Sequence, residues 1–171
     1  RMDEALILVS LNAHMISGTC YMYQPESMND YGSGVSVAYF ASGDVEEYTS
    51  KLVHHEAGGH GFAKLADEYA YENYGAISED SISGYKMLNG WYGWWKNVDF
   101  TTDPALVKWS KFLEDERYAN EGLGIFEGAL TYWTGAYRPS WNSIMRDNEG
   151  NFNAPSREAI YYRIHKLAYG Q

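Results

Sequence analysis

One cysteine, Cys20, is present in 171 residues, so no intrachain disulfide can form and the core must hold without covalent staples. Its surroundings, TCYMY, contain no redox motif, and Cys20 is expected to be a small, buried, apolar side chain. Basic residues are scarce: 13 Lys and Arg face 23 Asp and Glu, a net charge of -10. Nucleic-acid binding needs clustered Lys and Arg to neutralise phosphates, and an anionic membrane surface asks for the same, so neither is expected as a partner. Long hydrophobic runs are missing too. None approaches the roughly 20 apolar residues of a membrane-crossing helix, so no membrane insertion is expected. The acidity otherwise speaks to solubility and names no substrate.

What is present reads as one globular domain over 1–171, with 45% hydrophobic and 21% charged residues. The opening RMDEALILVS is neither a signal peptide nor a natural start, so the chain is expected to be a fragment of a longer one. ALILVSLN (5–12) is a continuous apolar run of the length of a buried strand, and VSVAYFA (35–41) is a second strand. The Gly-, Pro- and Asn-containing stretch 15–34 connects them, with room for a short strand. Ser42-Gly43-Asp44 offers a cap for a helix from 45 to about 65. Residues 69–100 read as a long, ordered, aromatic loop region, of the kind that is usually functional. DPALVKWSKFLEDERY (103–118) predicts a helix, IFEGALTYW (125–133) is ambiguous between helix and strand, and 156–169 predicts an amphipathic helix with Ile160, Ile164 and Leu167 on one face.

The chemistry concentrates in LVHHEAGGHGFAKLADEY (52–69). His54, His55 and His60 stand beside Glu56, Asp67 and Glu68, and two histidines, a carboxylate and water satisfy a catalytic zinc ion. The spacing is anomalous. Metalloprotease helices place histidines four apart, about 40° around the helix, whereas His55 and His60 are five apart, about 140° on a regular α-helix. His54 and His60 differ by roughly 120°. A π-bulge adds one residue to a turn and concentrates at functional sites. Gly58-Gly59 can house one, and a glycine pair that costs roughly 2 kcal/mol in a helix needs such a reason. His55 and His60 are therefore the expected metal ligands, with His54 turned into packing or a supporting hydrogen bond. Glu56 is the candidate general base. Asp67 is the expected third ligand, with Glu68 as the alternative; the other carboxylate would hold the turn.

HEAGGHGFAKLADEY and GIFEGALTYWTGAYRPSWNSIMRDN (124–148) resemble the IgA peptidase family of bacterial zinc metalloendopeptidases, whose signature is H-E-x-x-H-x-x-x-x-L-x-D-E-Y; this chain has one inserted residue. The resemblance implies an α+β, metzincin-like catalytic domain with a mixed sheet over two helices, and a secreted, cell-surface or periplasmic protein. Carried over, it implies His55, His60 and Asp67 as zinc ligands, Glu56 as catalytic glutamate and Met145 as a Met-turn beneath the metal. Tyr137, just before the R-P-S-W-N turn, is a candidate hydrogen-bond donor to the tetrahedral oxyanion. The function expected is hydrolysis of peptide bonds in a protein or peptide substrate. An extended substrate would add to the sheet edge at 35–41, with aromatic residues 85–95 lining the cleft. The alternative is a catalytically silent protease-like fold that binds protein or glycan.

Overall fold

The computed structural model describes residues 4–15, 17–28, 32–43 and 46–170. Among them the architecture is mixed α and β. Strands β1 (Leu6–Leu11), β2 (Gly18–Met22) and β3 (Ser36–Ala41) form a sheet of order β1-β3-β2, with β1 parallel and β2 antiparallel to β3. The stretch 35–41 is thus the middle of the sheet and offers no free edge; the edges belong to β1 and β2. Ser36, Ala38 and Phe40 alternate as buried residues of β3, the period of a strand with one covered face. Two of the three are small, which leaves room for a wide helix against them.

That helix begins as α1 (Glu46–Leu52) and widens without a break into a ten-residue π-helix, Val53–Phe62. The expected cap residue Asp44 lies outside the described residues. The widening is larger than the single bulge the glycine pair suggested. The signature appears at the exit, where the Ala63 amide donates to Gly58 O over 3.1 Å, five residues back. The chain then leaves through Lys64, held at φ 54°, a left-handed conformation that non-glycine residues seldom adopt. Its ammonium donates to Gly61 O at 2.6 Å and to the Ser36 hydroxyl. Lysine so placed satisfies a terminal carbonyl and ties the helix end to β3.

Three elements depart from the sequence pattern. β1 was expected to be buried, yet Leu6, Ile7, Leu8 and Leu11 are all exposed; it is an outer strand of the sheet, with neighbours on one side only. The supposed loop 69–100 contains helix α2 (Glu79–Tyr92), started by Ser78, whose side chain accepts from the Ser81 amide, and ended by left-handed Gly93. Residues 103–118 form turns, the single helical turn α3 (Ser110–Leu113) and the start of a 3-10 helix, Glu116–Glu121, because Val107, Trp109 and Phe112 are drawn at uneven spacing into one apolar cluster.

The ambiguous 125–133 segment is a hairpin of β4 (Leu123–Ala129) and β5 (Tyr132–Ser140), turned through left-handed Leu130 and Thr131. A short helix α4 (Ile144–Asp147) and the long α5 (Ala154–Tyr169) complete the chain. Ile160 packs on the core, but Ile164 and Leu167 are exposed. The buried stripe of α5 runs instead through Ser156, Ala159 and Arg163.

Candidate metal centre

The wide helix settles the spacing problem by geometry. With hydrogen bonds reaching five residues back, residues five apart stack on one face, and His55 Nε2 lies 3.1 Å from His60 Nε2. Asp67 Oδ1 lies 3.0 Å from the first and 3.1 Å from the second. The other ring nitrogens are both committed: His55 Nδ1–H donates to Ile144 O at 2.8 Å, and His60 Nδ1–H to Leu65 O at 2.7 Å. A neutral imidazole has one donor and one acceptor nitrogen, so both lone pairs and the carboxylate converge on one point. Ligands at about 2.0–2.1 Å around a tetrahedral ion sit roughly 3.3 Å apart, close to these separations. His55, His60 and Asp67 form a group that could hold a metal ion. The side chains are 5, 12 and 24% exposed, so His55 is sealed while His60 and Asp67 face the adjoining cavity.

The electrostatics favour positive charge at the same point. Burial works against charging His60, but the Asp67 carboxylate and its hydrogen bond lift the imidazole to about 9. Burial would likewise raise Asp67, yet the two imidazoles hold it well below the usual carboxylate range. Glu56 is raised above an ordinary glutamate, chiefly by burial and against the pull of both histidines. Its Oε2 is buried with no hydrogen-bond partner among the described residues. A carboxylate oxygen left so is costly unless something else engages it. Gly18 on β2 makes room for it, since a Cβ there would fall 2.5 Å from Glu56 Cγ.

Loops far away in sequence clamp this arrangement. The chain from Ser143 to Met145 supplies Ile144 O to His55, Met145 O to the Glu68 amide at 2.8 Å, and the Ser143 hydroxyl to Glu68 Oε2 at 2.6 Å. Met145 is fully buried, and a Cβ on Gly59 would collide with its sulfur. The glycine therefore serves close approach as well as helix width. Glu68 is not at the metal point. It is fully buried and also accepts from Asn97 Nδ2 (2.8 Å) and Asn153 Nδ2 (2.9 and 3.0 Å), which pins the turn carrying Asp67.

Two residues lie elsewhere than expected. His54 is exposed, and among the described residues it makes no hydrogen bond to the ligands. Tyr137 is not brought to the centre: its ring packs on the Val107–Trp109–Phe112 cluster, and it stands across the hairpin from Glu127, whose charge adds to burial in raising its phenol. The phenol at the centre is Tyr69. Burial and the neighbouring Asp67 carboxylate raise its pKa, and its ring centroid lies 6.4 Å from that of His55. Its position directly after the Asp-Glu pair was the available signal. Tyr69, Tyr85, Trp95 and Leu130 wall a cavity of about 300 Å³ into which Glu56, His60 and Asp67 open, and Cys20 lines it with a thiol that burial pushes up to about 12. No helix among the described residues is long and apolar enough to cross a membrane. Comparison with protein-family models and with curated proteins returns no match for this chain.

Proposed function

We propose that this protein is a zinc-dependent endopeptidase with Glu56 as its general base. The observation that carries the reading is the triangle of His55 Nε2, His60 Nε2 and Asp67 Oδ1, each 3.0–3.1 Å from the others, with both opposite ring nitrogens tied to carbonyls. Two imidazoles and a carboxylate are a donor set zinc favours in catalytic sites. Bound there, zinc would polarise a peptide carbonyl and acidify an attacking water.

The remaining work falls to the chain's own groups. Glu56, with a raised pKa and an unengaged oxygen, accepts a proton from water as the water oxygen bonds the scissile carbon. It then passes that proton to the leaving amine nitrogen as the peptide bond breaks. The Tyr69 phenol stands close enough to Asp67 to feel its charge and lines the same cavity, where it is placed to contact substrate. Gly18, Thr19, Cys20 and Met22 of β2 line the cavity, so an extended substrate segment can align along that edge strand. Tyr85, Trp95 and Leu130 suit an apolar side chain beside the scissile bond. The rival reading, a silent binding fold, drew on the extra residue in the helix. With His55 and His60 on one face, that residue no longer favours it.

Metal analysis and cleavage of an unfolded protein test the proposal together. Wild-type protein should hold one zinc ion and cleave; His60→Ala should lose both properties. Glu56→Gln should keep the metal and lose about 10²–10⁴-fold in rate, the usual worth of a general base. Undiminished cleavage by Glu56→Gln, or none by zinc-loaded wild type, would overturn it.

A further inference from the structure

Trp95 walls the metal cavity, and the next residue, Lys96, walls a different and larger one of about 560 Å³. The last turn of α2 (Asn89, Gly90) and the first of α5 (Pro155, Glu158) close it, with Lys96, Lys108, Lys111 and Tyr162 completing the lining. We propose that this second cavity is an anion-binding site for a ligand bearing a carboxylate, sulfate or phosphate group.

The argument starts from charge. The chain has seven lysines and a net charge of -10, yet three of those lysines share this cavity with one carboxylate, Glu158, which is already bonded to Lys111. Lys108 also feels the carboxylate of Asp99 and, more weakly, the ammonium groups of Lys96 and Lys86. Lys96 and Lys111 line the same cavity, and their Nζ atoms lie 5.7 and 5.9 Å from the centroid of the same Tyr162 ring. Lys108 sits deeper, its ammonium donating to Val98 O at 2.7 Å and Trp95 O at 3.1 Å. Those two bonds use two of its three N–H donors.

Like charges gathered in a partly enclosed space are unfavourable unless something neutralises them. Burial first pushes Lys108 down to about 8; Asp99 pulls it up, and Lys96 and Lys86 push it down further. An anion would remove that repulsion while forming charge-assisted hydrogen bonds, which are the strong class. The volume falls within the 300–1,000 Å³ usual for small-molecule sites, so the charged group can belong to a molecule larger than a bare ion.

The test is calorimetric titration of the intact protein with phosphate, sulfate and glucuronate, against chloride at matched ionic strength, with thermal unfolding in parallel. At least one of the three should bind saturably, once per chain, and raise the Tm. Binding of phosphate or sulfate alone assigns a tetrahedral oxyanion, and binding of glucuronate alone a carboxylate; either supports the site. The double variant Lys96→Met, Lys111→Met should bind about tenfold more weakly or worse, given what bonds to charged groups contribute. Glu158→Gln should bind more tightly. His60→Ala should bind as wild type, which places the ligand away from the metal centre. The proposal is overturned if no anion exceeds chloride or if the double variant binds as well as wild type. Should the double variant not fold, unchanged affinity in Glu158→Gln overturns it equally.

Discussion

The π-helix Val53–Phe62 and helix α2 are stabilised in opposite ways. α2 is built from local signals: a Ser78 side-chain cap, Glu79 and Asp80 in its first turn, and Gly93 in the left-handed conformation at its end. Its interior glycines, Gly84 and Gly90, face open space. The π-helix has no side-chain cap, and its glycines meet other parts of the chain. Gly59 faces Met145, and Gly61 faces Leu6. It ends on a left-handed lysine instead of a glycine. One helix would form for reasons contained in its own residues; the other persists because distant segments hold it in a shape that local propensity does not favour. Only the second can bring residues five apart to one metal.

The sharpest break of that contrast is at the clamp itself. Glu68→Ala leaves Asn97, Ser143 and Asn153 with buried, unmatched donors, each worth about 1–3 kcal/mol. A loss of several kcal/mol in denaturant unfolding is expected, with metal affinity down about 10–100-fold through the freed Asp67 turn. Metal affinity equal to wild type would show that the turn holds its shape without Glu68.

Next comes Gly59→Ala. Its added methyl collides with the Met145 sulfur, and such overpacking costs about 1–3 kcal/mol. The companion variant Met145→Ala should make the alanine easier to accept, a coupling that a double-mutant cycle reads directly.

Lys64 at the helix exit yields a pH prediction. Burial lowers its pKa from 10.5 to about 7, so between those values the unfolded chain holds a proton that the folded chain has shed. The unfolded state binds more protons, and stability therefore rises with pH across the window, by up to about 1.4 kcal/mol per unit for one group. Relative to Lys64→Met, wild-type protein should gain stability from pH 7 to pH 9. Parallel stability curves for the two proteins would refute it.

The smallest effect has the opposite sign to Gly59→Ala. Gly84→Ala in α2 meets nothing within 4 Å, and replacing a helical glycine with alanine should stabilise by about 0.5–1 kcal/mol. If the two glycine substitutions shifted the Tm in the same direction, the contrast between the helices would fail.

Much of the site was legible before folding. His-Glu followed by a histidine and an Asp-Glu pair named the ligand types, and the glycine pair signalled an irregular helix. Three things were not legible. Asp67 and Glu68 are adjacent and chemically alike, so only the direction of the turn decides which meets the histidines and which meets Asn97, Ser143 and Asn153. Tyr137 was the phenol expected at the centre, but β-pairing sets it opposite Glu127, and Tyr69 lines the cavity instead. The capping signals of α2 were present at Ser78 and Gly93 but were masked by two interior glycines and many aromatics.

By itself the sequence determined the chemistry available to this protein: which residues can ligate and accept protons, an acidic net charge, no disulfide within these 171 residues and an α and β mixture. Side-chain type and strand or helix period are properties of short stretches, and they survive without long-range contact. Only the tertiary structure decided the width of the helix, the choice between neighbouring carboxylates and the gathering of three lysines into one cavity. Each depends on contacts between residues tens of positions apart, where packing overrides what a local segment prefers.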